Sequence, residues 1–224
     1  SAAASAPAGD PIVIGSTLPM TGPLGTFGAD IQKGIQEAVD EVNAAGGLVA
    51  DGKSHQIEWK MLDNKSDPNL ASQQAKTLLL QDKAVALVGS ITPPLTIPIS
   101  KVAEQAGRPF FTSTTPVQAW LGAGPWKWSF VWFFDELQMT QVQMKASDEV
   151  QTNKKVALFT DTEEDGVVMG GLWEKQAPTL GYSIAYHAKF PVGTSNFKDY
   201  VQKAKDSGAE VLIAQMIPPD AIAL

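Results

Sequence analysis

The stretch that decides the fold runs from residue 84 to residue 96 and reads Ala84-Val-Ala-Leu-Val-Gly-Ser-Ile-Thr-Pro-Pro-Leu-Thr96. Its apolar first half is typical of a buried strand, and its second half predicts a tight polar loop before a helix that opens at Thr96. A strand end that meets a helix start leaves free backbone N–H groups and the positive end of a helix dipole in one crevice. The stretch therefore predicts a scaffold that presents several such crevices to a small ligand.

Strand patterns and helix patterns alternate along the rest of the chain. The predicted strands are Ile12–Leu18, His55–Asp63, Ala84–Ile91, Pro109–Thr112, Val156–Thr160, Ser183–Phe190 and Val211–Met216. Apolar periodicity, caps and breakers predict helices at about 29–45, 67–82, 96–105, 136–150, 168–177 and 195–207. Repeated β-α units are typical of a parallel sheet covered on both faces, so the predicted fold class is α/β with doubly wound parallel-sheet lobes.

The composition changes between Trp120 and Trp132, where four of the six tryptophans stand among glycine and proline. This change predicts a crossover into a second lobe, and the tryptophans serve either as core and inter-lobe packing or as the lining of a pocket for an aromatic ligand. The predicted divisions are a flexible N-terminal segment at 1–11, a first lobe at 12–119, a hinge at 120–135 and a second lobe at 136–224. Because the pattern stops just after a helix start at 218–220, we expect the natural polypeptide to continue beyond Leu224.

The totals exclude several classes of function. The net charge is −7 and Arg108 is the one arginine, so the clustered cations that neutralise nucleic-acid phosphates are missing. The chain has no cysteine, which excludes disulfides, thiolate metal sites and cysteine nucleophiles. No apolar run reaches the roughly 18 residues that a membrane span requires. The small, uncharged residues 1–9 are typical of an exported protein whose signal peptide has been removed, with a cloning remnant or an ordinary frayed terminus as the alternative.

Motifs for catalysis are absent from the sequence. The two histidines, His55 and His187, lie at strand positions typical of hydrogen-bonded or solvated residues rather than of a catalytic base. There is no nucleophile elbow and no phosphate-binding loop. The acidic loop at 161–165 lacks the alternating ligands of a calcium site, so it is either a solvated loop or a loop that turns Asp165 toward a ligand. We therefore predict no enzymatic activity, no metal and no cofactor.

Hydroxyl side chains follow two neighbouring predicted strands. Ser90 and Thr92 come after the third strand, and Thr112–Thr115 come after the fourth. Capping and turn formation would explain each of them singly. Together they mark the carboxyl edge of a parallel sheet, where doubly wound folds bind their ligands.

An ordered series of motifs resembles the periplasmic binding proteins of the branched-chain amino-acid type, which serve ATP-driven importers. The series comprises Ile12-Val-Ile-Gly-Ser-Thr-Leu-Pro-Met-Thr-Gly-Pro23, Asp40-Glu-Val-Asn-Ala-Ala-Gly-Gly47, Leu87-Val-Gly-Ser90, Pro109-Phe-Phe-Thr-Ser113, Lys155-Val-Ala-Leu-Phe159, Gly193-Thr-Ser-Asn-Phe-Lys-Asp-Tyr200 and Ala209-Glu-Val-Leu-Ile213. The resemblance covers nearly the whole chain. It implies two α/β lobes joined by a hinge, a small-molecule ligand held by hinge closure, and a C-terminal remainder that returns to the first lobe.

The same resemblance implies the site. The ligand-binding residues it implies are Phe27, Ser90, Ile91, Thr92, Ser113, Thr114, Thr115, Asp165 and Ile217. Three features depart from the amino-acid binders: Pro93 stands where the family has a ligand-binding serine, and Asp165 and Ile217 stand where it has tyrosines. These departures count against a plain leucine-type ligand, and the implied ligand is a small organic molecule, either an amino acid or an aromatic or other small carboxylate or amide.

The implied role is that of an exported, periplasmic or cell-surface protein, a monomer that delivers its ligand to a membrane permease and binds no nucleic acid. A cytosolic ligand sensor of the same fold is the alternative from another class, and an α/β enzyme that uses Asp165 is a further one.

Overall fold

A computed structural model describes residues 6–224, which form two compact units. The first unit contains the chain up to Thr115 together with residues 125–132, and the second contains residues 116–124 and 133–224. Each unit has its own parallel sheet with helices, so the predicted α/β class is confirmed. The predicted hinge at 120–135 stays a prediction. Within the described residues, no helix is both long enough and apolar enough to cross a membrane.

The first unit is built on a five-stranded parallel sheet. The strands of this sheet are β1 (Ile12–Leu18), β4 (Ile57–Asp63), β5 (Ala86–Val88), β6 (Phe110–Thr112) and β7 (Ser129–Val131). A separate antiparallel hairpin consists of β2 (Leu48–Ala50) and β3 (Lys53–His55). The sheet order is β4-β1-β5-β6-β7. This order brings the carboxyl ends of β5 and β6 side by side, which is the condition the two hydroxyl clusters need to meet.

Three helices belong to this unit, namely α1 (Gly25–Ala44), α2 (Pro68–Lys76), continued by a π-helical turn at Thr77–Gln81, and α3 (Thr92–Ala106). Asp67 caps α2 by accepting from the amides of Asn69 and Leu70, and Pro68 occupies the first helical position as predicted. The prediction that Thr96 opens α3 was wrong, since the helix begins at Thr92. Proline pairs suggest a loop, yet the first turn of a helix tolerates them because its N–H groups have no partner within the helix.

The N-terminal segment is pinned where the structure describes it. The amide of Ser54 donates to the carbonyl of Pro7 at 2.8 Å, and the amide of Gly9 donates to the carbonyl of Ser54 at 2.8 Å. Residues 7–9 therefore add a short extended strap beside β3, although a flexible segment was expected at 1–11. Residues 1–5 of that expectation lie outside the described residues.

The tryptophan-rich stretch contains two elements that the sequence did not reveal, the helix α4 (Val117–Gly122) and the strand β7. Trp120 is buried in the second unit, whereas Trp132 is 60% exposed in the first. Phe111 of β6 and Phe130 of β7 stack with their ring centroids 5.2 Å apart. The dense glycine, proline and tryptophan content hid both the short helix and the three-residue strand.

The second unit has a three-stranded parallel sheet. Its elements are α5 (Glu136–Ala146), β8 (Lys155–Asp161), α6 (Glu164–Gln176), β9 (Ser183–Phe190), α7 (Lys198–Asp206), β10 (Val211–Gln215) and α8 (Pro218–Ala223), with sheet order β10-β8-β9. On β8, Val156 and Leu158 join one apolar cluster while Ala157 and Phe159 join another. Since successive side chains of a strand point to opposite faces, β8 is packed on both sides, as a parallel sheet requires.

Asp165 lies in a helix and not in the acidic loop that the sequence predicted at 161–165. Helix α6 begins at Glu164, and Asp165 is in its first turn. The side chain of Asp165 is buried rather than solvated. Acidic residues suit the first turn because the helix dipole is positive there, which is why a run of carboxylates can begin a helix.

The cap of α2 is testable by mutation. Because both oxygen–amide hydrogen bonds of Asp67 would be lost, we expect Asp67→Ala to lower the free energy of unfolding by about 1 kcal/mol. Denaturant unfolding measures the change, with Asp30→Ala at an exposed site of α1 as the control. An equal effect of both substitutions would contradict the capping role.

Candidate functional site

The loop after β5 holds a strained backbone. Ser90 has φ +71° and Thr92 has φ +54°, directly after Gly89 at φ +92°. The left-handed region is unfavourable for a residue with a Cβ, and more so for β-branched threonine. Strain of this kind is retained where surrounding structure fixes it, and it is concentrated at functional sites.

The side chains of this loop carry two unpartnered hydroxyls. The Oγ of Ser90 and the Oγ1 of Thr92 are buried and have no hydrogen-bond partner among the described residues. The two residues are only 1% and 8% exposed. A buried hydroxyl without a partner costs free energy, on the order of 1–3 kcal/mol, so native proteins rarely keep one without a reason. The loop is therefore built to offer two hydrogen-bonding groups.

The second hydroxyl cluster holds this loop in place. The hydroxyl of Thr112 donates to the carbonyl oxygen of Ser90 at 3.4 Å, and that of Thr114 donates to the same oxygen. In return, the amide of Thr92 donates to the carbonyl of Thr114 at 3.2 Å. The structure thus brings together the two clusters that the sequence placed after neighbouring strands.

The chemical character of the loop differs from an anion-binding helix start. Pro93 and Pro94 lie in the first turn of α3 and carry no N–H, and the amide of Thr92 is already used by Thr114. The expectation of a crevice rich in free amides is therefore corrected to a wall that offers hydroxyls. Such a wall can both donate to and accept from a ligand.

The remaining first-unit candidates have different settings. Thr115 is fully buried and donates its hydroxyl to Thr96 at 3.0 Å, so it holds the loop internally. Ile91 is buried at the N-cap of α3, and Ser113 is exposed. Phe27 lies in the first turn of α1 and is 36% exposed.

An apolar cavity lies beside these residues within the first unit. Its volume is about 300 Å³. The lining residues are Ile31, Gly34, Ile35, Val88, Gly89, Phe111, Ser113 and Trp132. An added Cβ at Gly89 would lie 2.9 Å from a methyl carbon of Leu18 and 3.0 Å from the terminal methyl carbon of Ile35 in α1, so glycine allows this wall to pack closely against both. The cavity therefore reaches the loop after β5 at Gly89 and the second hydroxyl cluster at Ser113, and two of its lining residues, Phe111 and Trp132, are aromatic.

Asp63, at the end of β4, organises the loop that leads to Phe27. Its carboxylate accepts from the amides of Met20, Thr21 and Lys65 and from the hydroxyl of Thr21. Burial by itself would raise the pKa of Asp63, but these hydrogen bonds outweigh it and hold the pKa below its ordinary value. The run Asp-Asn-Lys-Ser at 63–66 is typical of a turn, but the sequence does not show that Asp63 would hold the loop before Phe27.

In the second unit, Asp161 connects the two remaining candidates. Its carboxylate accepts from the amide of Ile217 at 3.0 Å and from the amide of Glu163 at 3.1 Å. Asp165 accepts from the side-chain amide of Gln215 at 2.7 Å. The carboxyl ends of β8 and β10 and the first turn of α6 thus share one acidic cluster, which we define as Asp161, Glu163 and Asp165.

The acidic cluster holds protons that exposed carboxylates would release. Burial, together with the carboxylate of Asp165, raises the pKa of Asp161 to about 6. Burial and the neighbouring Asp165 and Asp161 raise the pKa of Glu163 to about 8, and burial also raises the pKa of Asp165. No group of three or more His, Cys, Asp or Glu residues within 6–224 is arranged to hold a metal ion.

Comparison with known proteins places this chain in a family. A family model described as periplasmic binding protein matches residues 11–224, so the chain belongs to the periplasmic binding proteins and the resemblance seen in the sequence is confirmed. An amino acid binding protein of Pseudomonas aeruginosa is 30% identical over 212 residues, covering 94% of this chain and 55% of that protein. The Leu/Ile/Val-binding protein homolog 7 of Brucella melitensis is 24% identical over 228 residues, covering 98% of this chain and 56% of that protein.

Solved structures show the same fold. A branched-chain amino acid transporter substrate-binding protein of Streptococcus pneumoniae, in complex with isoleucine, has a TM-score of 0.77 at 28% identity and covers 91% of this chain and 56% of its own. A solute-binding protein of a Rhodopseudomonas palustris ABC transporter, in complex with 4-hydroxybenzoate, has a TM-score of 0.82 at 22% identity and covers 96% and 56%, respectively. The latter identity shows the fold alone. The chain spans about half the length of the curated relatives it matches.

The unpartnered hydroxyls give a first test at the site. Ser90→Ala removes a buried hydroxyl that no described residue satisfies, so we expect the ligand-free protein to gain up to about 1 kcal/mol in unfolding free energy. The matched control is Thr96→Val, because the hydroxyl of Thr96 donates to the carbonyl of Thr92 at 2.8 Å and accepts from Thr115. Thr96→Val should lower the free energy of unfolding by about 1–2 kcal/mol. Denaturant unfolding distinguishes them, and equal losses would contradict the unpartnered state of Ser90.

The acidic cluster gives a second test, on pH dependence. The folded-state pKa values of Asp161 and Glu163 are raised above ordinary values, so the folded protein binds more protons than the unfolded chain between about pH 4 and pH 8. Stability from these groups is therefore greatest at the acidic end and is lost as the pH rises, by on the order of 2 kcal/mol after allowance for the solvent that reaches Glu163. Unfolding measured at pH 5 and at pH 8 should show the loss.

The control for this test is the double substitution Asp161→Asn with Glu163→Gln, which removes both titrations. It should flatten the pH profile between pH 5 and pH 8. A wild-type profile that rises with pH over this window would show that the cluster does not hold its protons.

Proposed function

We propose that this protein captures a small organic ligand outside the cytoplasm and delivers it to an ATP-driven importer, without performing chemistry on it. The observation that carries the proposal is the pair of buried, unpartnered hydroxyls of Ser90 and Thr92 on a strained loop. A polar ligand atom that bonds to them recovers the hydrogen bonds that the protein itself leaves unmade. The loop is held in this geometry before the ligand arrives, which lowers the ordering cost of binding.

The proposed contacts in the first unit combine hydroxyls with apolar carbon. Ser90 and Thr92 face a carboxylate or carbonyl group, since hydroxyls donate to such oxygens, whereas Thr114 gives its proton to the carbonyl of Ser90 and offers a ligand only an acceptor oxygen. Ser113 and the aromatic ring of Phe27 complete the proposed set. The apolar cavity that includes Phe111 and Trp132 favours a ligand with aromatic or branched aliphatic carbon.

The proposed contacts in the second unit are Asp165 and Ile217. The carboxylate of Asp165 favours a hydrogen-bond donor or a cation and disfavours a second anionic group on the ligand. A donor that approached Asp165 would also relieve the repulsion among the carboxyl groups of the acidic cluster. The ligand class that we propose therefore carries one acidic or carbonyl end, an apolar body and a donor group, as an amino acid, a hydroxylated aromatic acid or an amide does.

The partner and location follow from the family. Family members serve membrane permeases, and we propose that this chain does the same as an exported protein in the periplasm or at the cell surface. Capture then depends on a shift between conformations. A ligand shifts that equilibrium only by the contacts that it makes in one state and lacks in the other.

A thermal-shift screen tests the ligand class. The panel contains isoleucine and leucine, 4-hydroxybenzoate and benzoate, and a small amide. We expect 4-hydroxybenzoate or the amide to raise the melting temperature more than leucine does, because Pro93 replaces a hydroxyl that amino-acid binders use. A larger shift with leucine would overturn the expected preference.

The same screen on Ser90→Ala separates binding from stability. The substitution should abolish most of the ligand-induced shift while leaving the ligand-free melting temperature unchanged or raised. If Ser90→Ala responds to the ligand as the wild type does, the hydroxyl wall is not the ligand site. If no panel compound or its close analogues shift the wild type, the proposed ligand class is wrong.

A further inference from the structure

The path of the chain between the two units is more involved than a single crossover. Residues 116–124 belong to the second unit, although residues up to Thr115 and residues 125–132 belong to the first. The chain therefore passes between the units three times, at the links 115/116, 124/125 and 132/133. We call these three links the crossings. Helix α4 lies between the first two and directly follows the hydroxyl loop of the proposed site.

Glu136 holds α4 within the second unit. Its side chain is wholly buried, and its two oxygens accept from the amide of Gln118 at 2.6 Å and from the amide of Ala119 at 2.9 Å. These amides belong to the first turn of α4, where N–H groups have no partner inside the helix. Glu136 is also the first residue of α5, so the carboxylate that meets the positive end of α4 is carried by the start of the next helix of this unit.

Two further bonds support the same attachment. The amide of Val117 donates to the carbonyl of Phe134 at 3.3 Å, and the side-chain amide of Gln118 donates to Asp135 at 2.8 Å. All the first-turn amides of α4 from 117 to 119 are thus satisfied by residues 134–136. Charge-assisted hydrogen bonds to a buried carboxylate are the strongest of this set, so Glu136 dominates the attachment.

The first unit holds the other side of the crossings just as firmly. Thr115, the last residue before the first crossing, donates its hydroxyl to Thr96, and both side chains are fully buried. Trp132, the last residue before the third crossing, donates its amide to the carbonyl of Thr112 at 3.2 Å. Fixed residues therefore flank the links 115/116 and 132/133 on both sides, and the remaining link joins Gly124 to Pro125.

We propose that Glu136 is a positioning residue that fixes the start of α4 to the start of α5, so that α4 behaves as one body with the rest of the second unit.

The test places spin labels in this chain, whose 224 residues contain no cysteine. Leu121→Cys labels α4 and Val142→Cys labels α5, both at exposed positions. We expect a narrow distance distribution between the two labels in the wild-type background. In Glu136→Gln the side-chain NH₂ group faces a backbone N–H of α4, so one of the two hydrogen bonds is lost. The distribution of label distances should therefore broaden, and hydrogen exchange of the backbone amides at 117–119 should accelerate by about tenfold or more.

The matched control is Thr140→Val on the same helix. The hydroxyl of Thr140 donates to the carbonyls of Glu136 and Leu137 and makes no bond to α4. This variant should lower the melting temperature yet leave the label distances and the exchange at 117–119 unchanged. A control that broadens the distribution as much as Glu136→Gln does would show general loosening of the unit and would overturn the proposal.

Other outcomes are equally decisive. A broad wild-type distribution, or a Glu136→Gln variant as narrow as the wild type, overturns the proposal. If Glu136→Gln does not fold, Glu136→Asp replaces it, because the shorter carboxylate cannot reach both amides and should still broaden the distribution. None of these measurements needs a ligand, so their failure is distinguishable from failure of the proposed function.

Discussion

The carbonyl oxygen of Ser90 accepts hydroxyl hydrogen bonds from both Thr112 and Thr114, and the proposed site depends on this shared acceptor. It ties the loop after one strand to the loop after its neighbour, so neither loop can relax alone. The backbone of Ser90 and Thr92 is thereby kept in the left-handed region, which a free loop would leave. The hydroxyls of Ser90 and Thr92 are carried by this restrained backbone and are buried without a partner among the described residues.

Parallel sheets explain why polar groups gather where they do. A strand buried on both faces, such as β8, can place its functional groups only at its ends, and in parallel strands the carboxyl ends lie along one edge. The two units apply this rule with different chemistry. The first unit offers uncharged hydroxyls beside apolar carbon, and the second offers carboxylates in excess of their donors.

The sequence predicted the regular elements best where periodicity and capping agreed. Strand Ile12–Leu18 and strand Ser183–Phe190 have the predicted bounds, and Asp67 with Pro68 marked the start of α2 correctly. It failed where one residue type suits two settings. Proline fits both a loop and a first helical turn, so the start of α3 was placed four residues late. Carboxylates fit both a solvated loop and a helix start, so the sequence placed Asp165 in a loop although it lies in the first turn of α6. Long-range acceptors such as Asp63 and Glu136 could not be assigned, because local pattern does not show which distant amide a carboxylate will meet.

Buried carboxylates in this protein illustrate how environment determines role. Glu136 is fully buried, yet its two oxygens each accept from a backbone amide at the start of α4. The side chain of Glu136 is held in place because each of its oxygens accepts a hydrogen bond from a backbone amide. In the acidic cluster three carboxyl groups share few donors, and burial raises their pKa values until Glu163 keeps its proton near neutrality. The protonation of a carboxyl group in this cluster depends on the charges and hydrogen-bond donors that lie beside it. The first arrangement therefore fixes α4 in place, and the second makes the charge of the cluster depend on pH between about pH 4 and pH 8.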